Sequence, residues 1–314
     1  MLRRVRGASR GPDRNSSVVV SCEMAVPRRY PEVVESIGCQ RSYRVRKFPP
    51  MIANPLALRL DPALPIREQI FDAAKLGARG VVLDATGDLS PHRLSDTGRR
   101  ELKHLLRTVE LKLAALNLPT RRSFDTADQL DERIRRADAA FALAFELGTN
   151  LVLARVGAIP PEDEPERRKI FDAAVQDLSA RADHRGVRLT IETGADPLPN
   201  LESFLSGFDT QGIAVSIDPA SLASSGVDPS DAVRALAPWV AHAYANDAAD
   251  LAASAKTIIQ SRVRGLPSGA IDWEEYVGAF EEIGYRGFLT IWPGTGRDAP
   301  KRFKQVKERF DQIG

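Results

Sequence analysis

From residue 56 onward, short apolar runs alternate with longer segments whose apolar positions recur every three or four residues. The first pattern marks buried strands and the second marks amphipathic helices. Strands are predicted at 56–60, 80–84, 112–117, 150–156, 187–192, 213–218, 240–247 and 287–292. Helices are predicted at 66–76, 96–110, 127–147, 164–184, 201–207, 229–239, 273–283 and 300–313. Gly77, Gly148, Gly186 and Gly284 each follow a predicted helix, where a left-handed cap favours glycine. Eight strand–helix pairs in alternation predict a parallel sheet, and eight is the number that closes a (β/α)8 barrel. An open doubly wound sheet would carry a glycine-rich phosphate loop after its first strand. Here the first strand runs into LDPALPIRE, which has no glycine. The expected fold is α/β, a single-domain (β/α)8 TIM barrel over residues 51–314.

The first fifty residues show neither period. They hold 11 Lys/Arg against 4 Asp/Glu, about +7, while the whole chain carries only +2, so the rest carries about −5. A basic, disordered extension, or sequence upstream of a true start at Met51, is the expectation. The apolar run at Val18–Val20 is too short for a signal segment and Glu23 interrupts it. No run approaches the ~18 apolar residues needed to span a membrane. Both cysteines, Cys22 and Cys39, lie in this stretch, so no disulfide framework supports the barrel. A cytoplasmic protein with neither a membrane nor a nucleic-acid partner is expected.

In such barrels the chemistry gathers at the C-terminal ends of the strands. Those ends here are Arg59, Asp84, Asn117, Arg155, Glu192, Asp218, the segment from Tyr244 to Asp247, and Trp292. Alternation along LTIE turns Thr190 and Glu192 inward, and along VSID it turns Ser216 and Asp218 inward. Two carboxylates at equivalent places on consecutive strands could hold a divalent cation or move a proton. Each could equally cap a following helix or pair with an arginine. His242 shares the parity of Tyr244 and Asn246 but sits one step deeper. His92, His104 and His184 have no metal-ligand spacing with one another. Arg155 and Arg264 are candidate clamps for a phosphate or carboxylate, or partners for Glu192 and Asp218.

The segments ELGTNLVLARVG, GVRLTIETG, GIAVSIDPASL, VAHAYAND and GAIDWEEYVGAFEEIGYRGFLTI carry a resemblance to the xylose isomerase-like TIM-barrel family. That family contains sugar isomerases, sugar epimerases and an apurinic-site endonuclease branch. The resemblance implies a divalent cation, Mg2+ or Mn2+, held by Glu, Asp, His and Glu from four strands. It also implies two glutamates relaying a proton through an enediol. Glu192 matches the first ligand and the catalytic base, and Asp218 matches the second ligand. The ligand histidine reads as Tyr244, the closing glutamate as Trp292, and a further histidine as Ser221. With two of four ligands replaced, the anchors fall short of the three a catalytic metal usually has.

Two functions follow. The first is a sugar or sugar-phosphate isomerase/epimerase-like protein, with Arg155, His242, Tyr244, Asp247 and Trp292 contacting a small carbohydrate-like ligand. In it Asp84 or Asp247 would substitute for the missing acid. The second is a non-catalytic descendant that binds a sugar-like ligand or a protein partner without a metal. Homo-oligomerisation is left open by the sequence.

Overall fold

Eight parallel strands close on themselves in sequence order, with β8 returning to pair with β1. The computed structural model describes residues 54–246, 271–293 and 299–313. The expectations for residues 1–50, for a start at Met51, and for Asp247 and Arg264 lie outside the described residues. The strands are β1 Leu56–Arg59, β2 Gly80–Asp84, β3 Lys112–Leu118, β4 Leu151–Ala154, β5 Arg188–Glu192, β6 Ile213–Ile217, β7 Val240–Tyr244 and β8 Leu289–Ile291. The helices between them are α1 Ile66–Lys75, α2 Asp96–Thr108, α3 Leu130–Leu147, α4 Pro165–His184, α5 Leu198–Ser206, α6 Pro219–Ser224, α7 Pro229–Ala235, α8 Trp273–Glu282 and α9 Ala299–Ile313. The eight predicted strands and eight predicted helices all form. The short α6, over PASLAS, was not expected, and it proves important to the site. Among the described residues no helix is long and apolar enough to cross a membrane.

Local chemistry explains where the elements stop. Gly77, Gly148, Gly186 and Gly284 have φ of 86°, 91°, 70° and 68°, the left-handed region that glycine enters without a Cβ penalty. Ser95 caps α2 through the Gly98 amide, and Asp272 caps α8 through the Glu275 amide.

Alternation divides the core in two. Leu58, Leu83, Val152, Leu189, Ile191, Val215, Ile217 and Ile291 face outward into one large apolar layer under the helices. Inside the barrel is a much smaller cluster of Ala57, Val82, Ala114, Ala115, Leu153 and Tyr244, with Phe288 and Trp292 against it. The remaining inward positions, Thr190, Ser216, His242 and Thr290, are polar and at most 1 % exposed. Thr190 donates to the Arg188 carbonyl at 3.3 Å, and the other three satisfy one another. The two His242 ring nitrogens sit 2.7 Å from the Ser216 hydroxyl and 2.8 Å from the Thr290 hydroxyl. This arrangement ties β6, β7 and β8 together across the interior, below the mouth.

Candidate functional site

Strand ends deliver Arg59, Asp84, Arg155, Glu192, Asp218, Tyr244 and Trp292 to the C-terminal mouth. β1 and β2 run in register, with Arg59 opposite Val82. The Arg59 side chain extends forward to Asp84 at the end of β2. Its Nε donates to Asp84 Oδ1 at 3.2 Å and its Nη2 to Oδ2 at 3.3 Å, a two-point clamp. Nη1 donates to the Tyr244 hydroxyl at 3.2 Å. That hydroxyl in turn donates to Glu192 Oε1 at 3.1 Å. Arg155 Nε donates to the other Glu192 oxygen. The result is a continuous chain from Asp84 through Arg59, Tyr244 and Glu192 to Arg155, spanning five strands.

The charges respond to this chain. Burial would raise the Glu192 carboxyl, but the Arg155 and Arg59 charges and the bonds from Arg155 and Tyr244 outweigh it. Glu192 is held below the usual carboxylate range and stays ionised. Burial disfavours the Arg59 charge, yet Tyr244, Asp84 and Glu192 around it hold the guanidinium above its ordinary range. Burial, with the Glu192 charge, pushes the Tyr244 phenol far up, so it remains a neutral donor. Arg155 is the accessible member: its side chain is 38 % exposed where that of Glu192 is 7 %.

Asp218 does a different job. It is the N-cap of α6, where its Oδ2 takes the Ser221 hydroxyl at 2.6 Å and Oδ1 faces the Ser221 amide. Its own amide donates to the Thr193 hydroxyl at 2.9 Å. Burial, reinforced by the nearby Glu192 charge, pushes its carboxyl above the usual range. Gly194, at φ 96°, lets the loop after Glu192 pack on α6, since a Cβ there would meet the Ser221 Cβ at 2.5 Å.

Two expected ligand contacts take other positions. His242 is 1 % exposed with both ring nitrogens engaged, so it is a neutral interior residue and does not reach the mouth. Burial holds its ring down to about 3. The Trp292 ring lies under the Arg59 guanidinium, 4.3 Å from its carbon to the ring centroid. Its face toward β1 is thereby used to hold that arginine and not a sugar. Asp247 lies outside the described residues. Asp84 does enter the mouth, but as the counter-charge of Arg59. Arg59 itself, only noted as a strand end, is the centre of the site.

The residues present do not fit a divalent cation. Glu192 has one oxygen on Arg155 and one on Tyr244, and a cation beside it would face two guanidinium charges. Asp218 is committed to capping α6. A neutral phenol and an indole stand where two further ligands would be needed. Among the described residues no group of three or more His, Cys, Asp or Glu side chains is arranged to hold a metal ion. Two fixed guanidinium groups supply positive charge at this mouth instead.

Comparison with known proteins agrees with this architecture. A family model described as "Xylose isomerase-like TIM barrel" matches residues 70–312. Among solved structures, the chain resembles a xylose isomerase domain protein from Planctomyces limnophilus, with TM-score 0.64 and 19 % identity over 81 % of this chain and 93 % of that one. An L-ribulose 3-epimerase superposes with TM-score 0.66 and 15 % identity over 83 % of this chain and 94 % of that one. A xylose isomerase-like TIM-barrel protein from Mycobacterium smegmatis, solved in complex with magnesium, gives TM-score 0.62 and 17 % identity over 83 % and 96 %. No curated protein matches the chain.

Proposed function

Since the chain belongs to the xylose isomerase-like TIM-barrel family, we propose that it is a sugar isomerase/epimerase-like protein that binds a sugar or sugar phosphate at this mouth without a metal. The observation carrying this reading is the chain of bonds in which Arg155 and Arg59 flank Glu192 and Tyr244. Vicinal hydroxyls and a carbonyl need donors, acceptors and fixed positive charge, and the mouth offers all three. The structural neighbours, which include a D-tagatose 3-epimerase-like protein and an L-ribulose 3-epimerase, support the ligand class.

Binding of a ketose or ketose phosphate to the full chain, followed by calorimetry, is expected to be the same with and without EDTA. Arg155→Gln should weaken it at least about tenfold, since a bond from a charged donor contributes roughly 1.5–3 kcal/mol. Manganese at about 1 mM should leave the melting temperature within about 1 °C, as no bound state exists for it to stabilise. Affinity that requires the metal, or a large manganese shift lost in Glu192→Gln, would refute the metal-free reading.

Turnover is a second reading, favoured by one observation: Glu192 is held ionised beside two guanidinium groups. It would take the proton from the carbon next to a bound carbonyl, and Arg155 or Arg59 would neutralise the enediolate oxygen. The same carboxyl, once its proton has exchanged with solvent, would then return a proton to carbon. Incubation in D2O with NMR detection reads this step directly. Deuterium entering at that carbon, and not with Glu192→Gln, is the expected mark of catalysis; binding without exchange marks a sugar-binding barrel.

A further inference from the structure

At the opposite end of the barrel, where the strands begin, lies a cavity of about 480 Å3. Lys112 and Arg188, the first residues of β3 and β5, line it, with Lys103 and Arg107 from one face of α2. No aspartate or glutamate lines it. Leu106, Leu113 and Phe288 form an apolar wall. Gly80 makes room for Phe288, since a Cβ there would meet the ring at 2.7 Å.

Arg188 is the anomaly. The alternation that turns Glu192 toward one mouth turns Arg188 into the barrel at the other end. Its Nε is buried with no hydrogen-bond partner. Among the described residues no acid pairs with it, with Arg107 or with Lys112. Lys103 donates to the Glu146 carbonyl at 2.8 Å, and the Glu146 carboxylate nearby is held by Arg99. Elsewhere in the barrel interior Arg59 and Arg155 both have carboxylate partners. Arg188 is half-buried; burial depresses its charge, and no carboxylate offsets that. An anion seated in the cavity would supply the missing partner.

We propose that this cavity binds a phosphorylated small molecule, with the phosphate between Arg188 and Lys112 and the organic part against Phe288 and Leu113. A phosphate ester is dianionic and offers several oxygens, which suits a guanidinium and flanking ammonium groups. The volume lies within the range of small-molecule sites and exceeds what a bare ion fills. Residues 1–50 are a poor substitute, because they carry a surplus of about seven positive charges.

Inorganic pyrophosphate is a suitable probe, compared with sodium chloride at equal ionic strength. At about 10 mM it should raise the melting temperature of the full chain by about 5 °C. Arg188→Met should abolish that shift while leaving the free protein about as stable as before, since it removes a half-buried charge that has no ionic partner. Lys112→Gln, on the exposed rim, should reduce the shift without touching the fold. Arg155→Gln, at the other mouth, should leave it intact, which keeps this result separate from the sugar reading. An equal shift in wild type and Arg188→Met, or none in wild type beyond the salt control, overturns the proposal. So does a large loss of stability in Arg188→Met, which would mean that the charge is already compensated.

Discussion

Arg59→Met is expected to lower stability by about 3–5 kcal/mol and the melting temperature by about 10 °C. The reason is what the substitution leaves behind. Asp84 is 8 % exposed, and its side-chain partner is Arg59. Removing the cation strands a buried carboxylate and takes one of two positive charges from beside Glu192. It also strips the Trp292 ring of its cation. Removing the stranded carboxylate should restore that part of the loss: Arg59→Met with Asp84→Asn should regain about half of it, while the Glu192 and Trp292 contributions stay lost. The coupling between the two sites should then exceed about 2 kcal/mol in a double-mutant cycle read by chemical unfolding. A single-mutant loss below about 1 kcal/mol would mean that the pair behaves as a solvated surface bridge.

The same arrangement shows why some of this molecule is readable from its sequence and some is not. Strand parity depends only on local alternation, so Thr190, Glu192, Ser216 and Asp218 are correctly turned inward from LTIE and VSID alone. The glycine caps are equally local, and all four predicted positions take left-handed backbone. Asp218 is harder. It reads as the last residue of a strand, yet it is also the cap of a helix, and Pro219 directly after it was the available signal. The longer the sequence separation, the less is visible. Arg59 and Asp84 stand 25 positions apart, and Tyr244 is 185 positions from Arg59. Their meeting depends on how the sheet staggers as it closes, with register shifts between Val81 and Val82 and between Val215 and Ser216. No local pattern encodes that stagger. Thus the replaced residues Tyr244 and Trp292 are legible as departures, whereas their new partner Arg59 is not. Arg188 is an intermediate case: the parity that places Glu192 also places it, but its want of a partner is a three-dimensional fact.

His242 is expected to make the barrel sensitive to mild acid. Its imidazole is held neutral in the folded protein, down to about 3, by burial, with the Arg59 charge adding to that and the Glu192 charge opposing it. In the unfolded chain the same ring takes a proton near its ordinary value of 6.5. Unfolding therefore takes up one proton between those two values, and stability rises with pH across that window. The contribution is complete above pH 6.5 and is lost progressively on acidification, at about 1.4 kcal/mol per pH unit. Between pH 6.5 and pH 4 that amounts to about 3 kcal/mol, or about 10 °C in melting temperature for a barrel of this size. Other buried carboxyls also contribute. Glu192, held below its ordinary 4.5, adds further loss beneath that value. Asp218, raised above 3.8, acts in the opposite sense, because folding disfavours its charged form and acid relieves that penalty. The comparison of the wild type with His242→Gln therefore isolates the histidine. Chemical unfolding at half-unit steps from pH 6.5 to about 5 should show a slope steeper by close to one proton in the wild type than in that variant. His242→Gln, which can still bond the Ser216 and Thr290 hydroxyls, should start from lower stability but lack that added slope over the same interval. A wild-type profile as flat as that of the variant would mean that the ring accepts its proton inside the folded barrel, and that the Ser216 and Thr290 bonds do not fix it as the neutral tie between β6, β7 and β8.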